Sequence, residues 1–272
     1  MSRHPRGAEQ PIPFRSLASE LASGRGKDAA DWFGPEGGRD SFVVQVTGGA
    51  AYGVLLNDTI FVGFRGTGGR SDWSINLFGL NKTGPSRCPP NDYDGRHVFD
   101  NSNGMRGFFH AGFYRVSQSL ATALNDEIRA LRDIYKKKSN NYPKVILCGH
   151  SLGGALALLC GQEIDHQAVY SFGMPRVCSG DLVSILPPCH FRYVIQGDPV
   201  PSTPFESLGF AHDMPSLKLN PYEYSQRPNL ISKIKRGFSG GETIIGSIGV
   251  AAKLIFASEH DMELYVETVM AV

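Results

Sequence analysis

Two stretches of the chain read Gly-x-Ser-x-Gly: Gly149-His150-Ser151-Leu152-Gly153 and Gly237-Phe238-Ser239-Gly240-Gly241. With 32 glycines among 272 residues the formula decides nothing by itself, and the surroundings of each serine must. Ser151 stands where the short apolar run "KVILCG" gives way to the apolar, helix-forming "LGGALALLCGQEI". A strand that turns sharply into a helix aims the serine hydroxyl outward. It also places that hydroxyl at a helix N-terminus, where amides and the dipole favour developing negative charge. The glycines at 149 and 153 fit such a bend, because a side chain at either position would meet neighbouring strand or helix backbone. Ser239 follows the polar, alternating "SKIKR" and precedes Gly-Gly-Glu-Thr, so it reads as a loop serine. Ser151 is therefore the expected nucleophile.

A serine hydroxyl attacks only when a neighbouring base takes its proton and a carboxylate holds that base in the right tautomer. Downstream carboxylates include Asp165, Asp181, Asp198 and Asp213. Asp198 alone directly follows a strongly apolar run, "FRYVIQGD", which puts it at a sheet edge. For the base the residues leave two candidates, since His-Asp-Met is written twice, at His212 and at His260. His150, inside the turn, is expected to pack or hydrogen-bond locally. His4, His97, His166 and His190 carry no signal above an ordinary histidine. Acyl transfer also needs donors for an oxyanion. The amide of Leu152, directly after the nucleophile, is one, and the turn Phe64-Arg65-Gly66-Thr67 at the end of an earlier strand offers another.

These residues need a frame to hold them. "SFVVQVT", Tyr52 to Leu56 and "TIFVGFRGT" read as neighbouring strands, with Asn57-Asp58 as a turn signal. Residues 70 to 109 are crowded with Gly, Pro, Asn and Asp and predict a long irregular excursion. From Phe113 the period becomes helical, with Val116, Leu120, Leu124, Ile128, Leu131 and Ile134 at three- and four-residue steps. The strand before Ser151 and the helix after it come next. Two more strands, "AVYSFGMP" and "FRYVIQGD", are separated by room for one short helix. Strands alternating with helices predict an α/β protein with a largely parallel sheet and its chemistry at the strand C-termini.

Several of these stretches, in order, resemble the class 3 lipases, the α/β-hydrolase family of fungal triacylglycerol lipases, plant phospholipases A1 and feruloyl esterases. They are "FVGFRGT" (61–67), "SDWSINL" (71–77), "HAGFYRV" (110–116), "CGHSLGGALA" (148–157), "YSFGMPRV" (170–177), "YVIQGDPVP" (193–201) and "EHDMELYV" (259–266). The resemblance implies the α/β-hydrolase fold, the order nucleophile, acid, base, and a serine hydrolase of lipid esters. A triacylglycerol lipase comes first, with a phospholipase A1 or general carboxylesterase as alternatives. A catalytically idle lipid-binding protein is the rival from a different class. By the same resemblance Asp198 in "GDPVP" is the acid, His260 the base, Thr67 the partner of Leu152 in the oxyanion hole, and Arg65 an anchor for that loop. His212 falls in a segment that follows the acid. A short helix carrying Trp73, Leu77 and Phe78 is expected as a lid-like insertion after the oxyanion strand, either a lid that covers the site in water and swings onto a lipid surface or a fixed helix packed on the core.

Composition sets outer limits. The 41% hydrophobic and 19% charged fractions fit a globular chain, read as one domain over 1–272, and 27 basic against 26 acidic residues give no electrostatic reason for a nucleic-acid partner. Transient contact with a lipid interface is the partner expected. No apolar stretch reaches the roughly 20 residues a membrane-crossing helix needs, and the N-terminus lacks the unbroken apolar run of a secretory signal. The expectation is a cytoplasmic protein or one exported by a non-standard route. Five cysteines without paired spacing predict reduced, mostly buried thiols. The predicted chemistry calls for no metal and no cofactor.

Overall fold

The structure, a computed structural model, describes residues 40–66, 92–93, 96–101, 104–219 and Tyr265. Three strands open it: β1 (Ser41–Val46), β2 (Gly49–Leu56) and β3 (Thr59–Phe64). They pair antiparallel in sequence, with Ser41 opposite Val54 and Leu56 opposite Thr59. The β2–β3 turn uses Asn57 at φ 53°, a left-handed conformation that asparagine tolerates better than most residues.

The excursion over residues 70 to 109 is less irregular than its composition suggests. Its described part holds β4 (Asp92–Tyr93), β5 (Arg96–Asp100) and β6 (Arg106–His110), paired antiparallel. Asn101 closes the β5–β6 hairpin, its carbonyl accepting from the Gly104 amide and its side-chain oxygen from the Met105 amide. The polar turn residues that suggested a loop are the ends of strands whose own residues, Val98, Phe99, Phe108 and Phe109, favour extended backbone.

Helix α1 (Ala111–Ser139) follows at once, with His110 as N-cap accepting from the Phe113 amide at 3.4 Å and Asn140 as a left-handed C-cap. Its buried stripe, Phe113, Leu120, Leu124, Ile128 and Leu131, is the one the sequence period marks, and Lys136, Lys137 and Lys138 sit in the last turn where the helix dipole favours cations. Then come β7 (Lys144–His150), α2 (Leu152–Cys160), β8 (Ala168–Phe172), β9 (Cys178–Ser179), β10 (His190–Ile195), β11 (Phe210–Ala211) and β12 (Leu217–Leu219). The short helix expected between β8 and β10 is a 3-10 turn, Gly180–Ile185.

The larger sheet runs β1-β2-β3-β7-β8-β10-β12, and its five strands from β3 to β12 are parallel. A smaller antiparallel sheet runs β11-β9-β6-β5-β4. β3 is buried at every position, as a strand with neighbours on both edges and cover on both faces must be. The main core lies where α1 and α2 press on the large sheet, through Leu120, Leu124, Leu147, Leu156 and Leu158 among others. This is the mostly parallel, helix-flanked α/β-hydrolase architecture. Among the described residues no helix is long and apolar enough to cross a membrane, and no group of three His, Cys, Asp or Glu is placed to hold a metal. Cys148, Cys160 and Cys178 are buried free thiols and Cys189 an exposed one; burial pushes Cys178 up to about 12 and the other two higher still.

Candidate active site

Ser151 is the single residue between β7 and α2, and its backbone stands at φ 56°, ψ −126°. That conformation is foreign to residues with a side chain and costs on the order of 1–3 kcal/mol. It persists because the bend is held on every side. The Ser151 amide donates to the Phe172 carbonyl of β8 at 2.9 Å, and its own carbonyl accepts from Gly154 and Ala155 at 3.0 and 3.3 Å. Glycine is required on both flanks. A Cβ on Gly149 would lie 2.2 Å from the Gly153 carbonyl, and a Cβ on Gly153 would lie 2.1 Å from the Phe64 oxygen at the end of β3. Strand, bend and helix are therefore packed backbone on backbone.

The Ser151 hydroxyl is buried and has no hydrogen-bond partner among the described residues. Leu152 is the first helical residue, so its amide is one of the N–H groups a helix start leaves without an internal acceptor. The loop after β3 runs close by, since a Cβ on Gly66 would sit 3.0 Å from the His150 carbonyl and 3.8 Å from the Ser151 Cβ. Arg65, next to it, is exposed. Thr67, the helix with Trp73, Leu77 and Phe78, Ser239 and His260 lie outside the described residues.

Asp198 follows β10 through a turn at Gly197, φ 97°, and is only 7% exposed. Its Oδ1 accepts from the Val200 amide at 2.9 Å and its Oδ2 from the Tyr265 hydroxyl at 2.5 Å. Tyr265 in turn accepts from the Ile195 amide at 3.0 Å. Burial first, then the Asp198 charge, raises the tyrosine well above its ordinary pKa, so it stays a donor to the carboxylate. The Tyr265 ring meets Phe172 edge-on at 6.3 Å and tilts against His150 at 5.5 Å. Ser151 and Asp198 therefore leave the same, C-terminal edge of the parallel sheet, with β8 between their strands and Tyr265 touching the neighbours of both. Nothing in local sequence pattern singles out Tyr265; it is visible only as part of "EHDMELYV".

A complete Ser–His–Asp relay is also present among the described residues, built on none of the expected nucleophile, acid and base. The Ser171 Oγ is 2.7 Å from His190 Nε2, and His190 Nδ1 is 2.6 Å from Asp213 Oδ2. The carboxylate can only accept, so Nδ1 carries a proton. Burial, the largest single influence, would raise Asp213, but the His190 hydrogen bond, the His190 charge and the nearby backbone and His212 together outweigh it and hold the carboxyl below its usual range. Ser171 is fully buried in mid-strand, beneath α2, where a Cβ on Gly154 would already be 3.1 Å from its own. No substrate carbonyl fits there, and the relay is part of the interior. His190, which has no distinguishing mark in the sequence, is thus bonded on both nitrogens.

His212 lies beside it. Its Nε2 donates to the Pro201 carbonyl at 2.7 Å, and burial, with the charges of Arg192 and Arg176, depresses it to about 3, which keeps it neutral. Arg176, from "YSFGMPRV", clamps the chain beyond Asp198: its Nη1 donates to the carbonyls of Ser202 and Pro204 at 2.6 and 2.9 Å, and its Nη2 to Glu206 Oε1 at 2.6 Å.

A strained strand-serine-helix bend over a parallel sheet, with a buried carboxylate at the next strand edge but one, is the arrangement of an α/β-hydrolase. Residues 61–208, more than half of the chain, match the model of the class 3 lipases, and the chain belongs to that family. It is similar to the secreted mono- and diacylglycerol lipase LIP1 of Malassezia globosa, 29% identical over 49% of this chain and 44% of that protein. It is likewise similar to a Rhizomucor miehei lipase, 31% identical over 57% of this chain and 40% of that protein. In fold it is similar to a crystal structure of a Penicillium cyclopium MDLA mutant, at a TM-score of 0.52 and 18% identity, covering 75% of this chain and 76% of that one. The chain thus spans less than half the length of these two curated relatives.

Proposed function

We propose that the chain is a serine ester hydrolase of lipid esters, a triacylglycerol lipase first of all, working through an acyl-enzyme on Ser151. The strained backbone of Ser151, held between Phe172 and α2, is the observation that carries this reading, because strain that a glycine would avoid is kept only where the side chain is needed. The names of the relatives, mono- and diacylglycerol lipase and lipase, support the substrate class.

In the proposed reaction His260 takes the Ser151 proton as the hydroxyl attacks the ester carbonyl. Asp198, fixed by Val200 and Tyr265, orients His260 and stabilises its cation. Tyr265 stands five positions after His260, so chain length alone keeps the base within roughly 18 Å of the tyrosine that holds the acid. The amides of Leu152 and Thr67 take the oxyanion, each donor contributing about 3–4 kcal/mol to the transition state. His260 then protonates the leaving alcohol, and water repeats the sequence on the acyl-enzyme. Trp73, Leu77 and Phe78 supply the apolar lid, and contact with a lipid interface is transient.

Rates for p-nitrophenyl esters, triglycerides and phospholipids, below and above their aggregation concentrations, test the reading. Triglyceride turnover that jumps at the interface and vanishes in Ser151→Ala is expected. Preference for phosphatidylcholine would make the enzyme a phospholipase A1, smooth saturation would remove the lid, and full activity in Ser151→Ala would remove the mechanism.

A further inference from the structure

We propose that the Ser171–His190–Asp213 relay is a positioning device that fixes the loop bearing the acid against the strand bearing the nucleophile's support. The proposal rests on the reading of Ser151 and Asp198 as nucleophile and acid. At one end of the relay, Ser171 immediately precedes Phe172, whose carbonyl holds the Ser151 amide at 2.9 Å. Ser171 also packs under the first turn of α2 at Gly154. At the other end, three consecutive residues are gripped. Asp213 bonds His190, the Met214 carbonyl accepts from Arg192 Nε at 3.0 Å, and His212 donates to Pro201. Pro201 belongs to the 3-10 turn Val200–Ser202, whose first amide bonds Asp198 Oδ1. A path of hydrogen bonds joined by single peptide links thus runs from the support of the nucleophile to the support of the acid.

The register makes this path direct. His190 lies opposite Val169 and Arg192 opposite Ser171 in the β8–β10 pair, so the relay side chains share the face covered by α2. Tyr265 grips Asp198 from the opposite face, among Phe172, Tyr193 and Ile195. The carboxylate is located from both sides of the sheet. A buried carboxylate, imidazole and guanidinium cost desolvation that apolar residues would avoid. What His190 supplies in return, bonded on both nitrogens, is a single geometry between the two strands.

The test uses Ser171→Ala, Asp213→Ala and Asp213→Asn in the full chain, with active sites titrated by a phosphonate and unfolding followed separately. The expected result is a kcat per titrated site lower by roughly 10- to 100-fold in both alanine variants, the scale of an ångström's misplacement. KM is expected to stay unchanged, with most of kcat recovered in Asp213→Asn, which keeps an acceptor for His190 Nδ1. Ser171→Ala removes one hydroxyl only and carries the test if Asp213→Ala does not fold. Wild-type kcat per site in the alanine variants, with only the melting point lowered, overturns the proposal, as does an asparagine variant no better than alanine. A wild-type chain that neither hydrolyses esters nor takes up phosphonate at Ser151 overturns instead the hydrolase reading beneath it.

Discussion

Replacing Gly153 by alanine adds one methyl group at the tightest point of the elbow. The new Cβ would lie 2.1 Å from the Phe64 oxygen, more than 1 Å inside ordinary contact at 3.4 Å, and 2.8 Å from the Phe64 carbon, also inside it. Both atoms are backbone, and Phe64 is fully buried and paired with Ala51 on one side and Gly149 on the other. Relief requires the end of β3 to move, with loss of ladder hydrogen bonds at about 1 kcal/mol each, on top of overpacking at about 1–3 kcal/mol. A destabilisation of about 3 kcal/mol corresponds to a fall in Tm of about 6–12 °C for a chain of this size. The displaced strand end leads into Gly66 and Thr67, so the proposed oxyanion donor should move as well, and kcat per folded molecule should drop about 100-fold. Gly180→Ala is the matched control, because its nearest neighbour would be the Ala211 Cβ at 3.9 Å, and it should shift stability by less than about 0.5 kcal/mol. Differential scanning fluorimetry and ester kinetics on both variants decide the matter. A Gly153→Ala protein as stable and active as its Gly180→Ala counterpart would refute the packing argument.

Three other outcomes follow from the same geometry. Tyr265→Phe removes the donor to Asp198 Oδ2 and the acceptor for the Ile195 amide, and denaturant titration should show a loss of about 1.5–3 kcal/mol with a reduced kcat; an unchanged midpoint would contradict it. Ser151→Gly should abolish turnover yet raise stability by about 1 kcal/mol, since relief of about 1–3 kcal/mol of strain exceeds the entropic cost of glycine, about 0.4–1 kcal/mol; a lowered midpoint would count against strain at the elbow. His212 is depressed to about 3 when folded against about 6.5 unfolded, so the unfolded chain binds the extra proton. Its stabilisation is complete above pH 6.5 and is lost as pH falls toward 3, and His212→Gln should flatten stability across that window.

The elbow was legible because it is a local object: a six-residue apolar run, two glycines and a helix start suffice to specify the backbone that Ser151 adopts. That β3, β7, β8 and β10 lie in a largely parallel sheet followed from strands alternating with helices, and the α1 stripe from its period. The place of Asp198 at a sheet edge was legible from the apolar strand before it. What sequence pattern missed is long-range. Tyr265 lies 67 positions from Asp198, and the contact depends on which strand edge each one reaches. His190 and Asp213 are 23 apart, and only the register of β8 against β10 brings Ser171 to them. The β5–β6 hairpin was hidden for a different reason, since the polar residues of its turn and flanks outnumber the few aromatic and β-branched residues that make the strands.

Phosphonylation of the folded protein, read by intact mass and peptide mapping, addresses the nucleophile most directly. One equivalent should attach to Ser151, with none on Ser171 or Ser239, and labelling should disappear in Ser151→Ala together with ester hydrolysis. A label on another serine, or an unmodified Ser151 in a preparation that hydrolyses esters, would contradict the assignment of Ser151 as the attacking group.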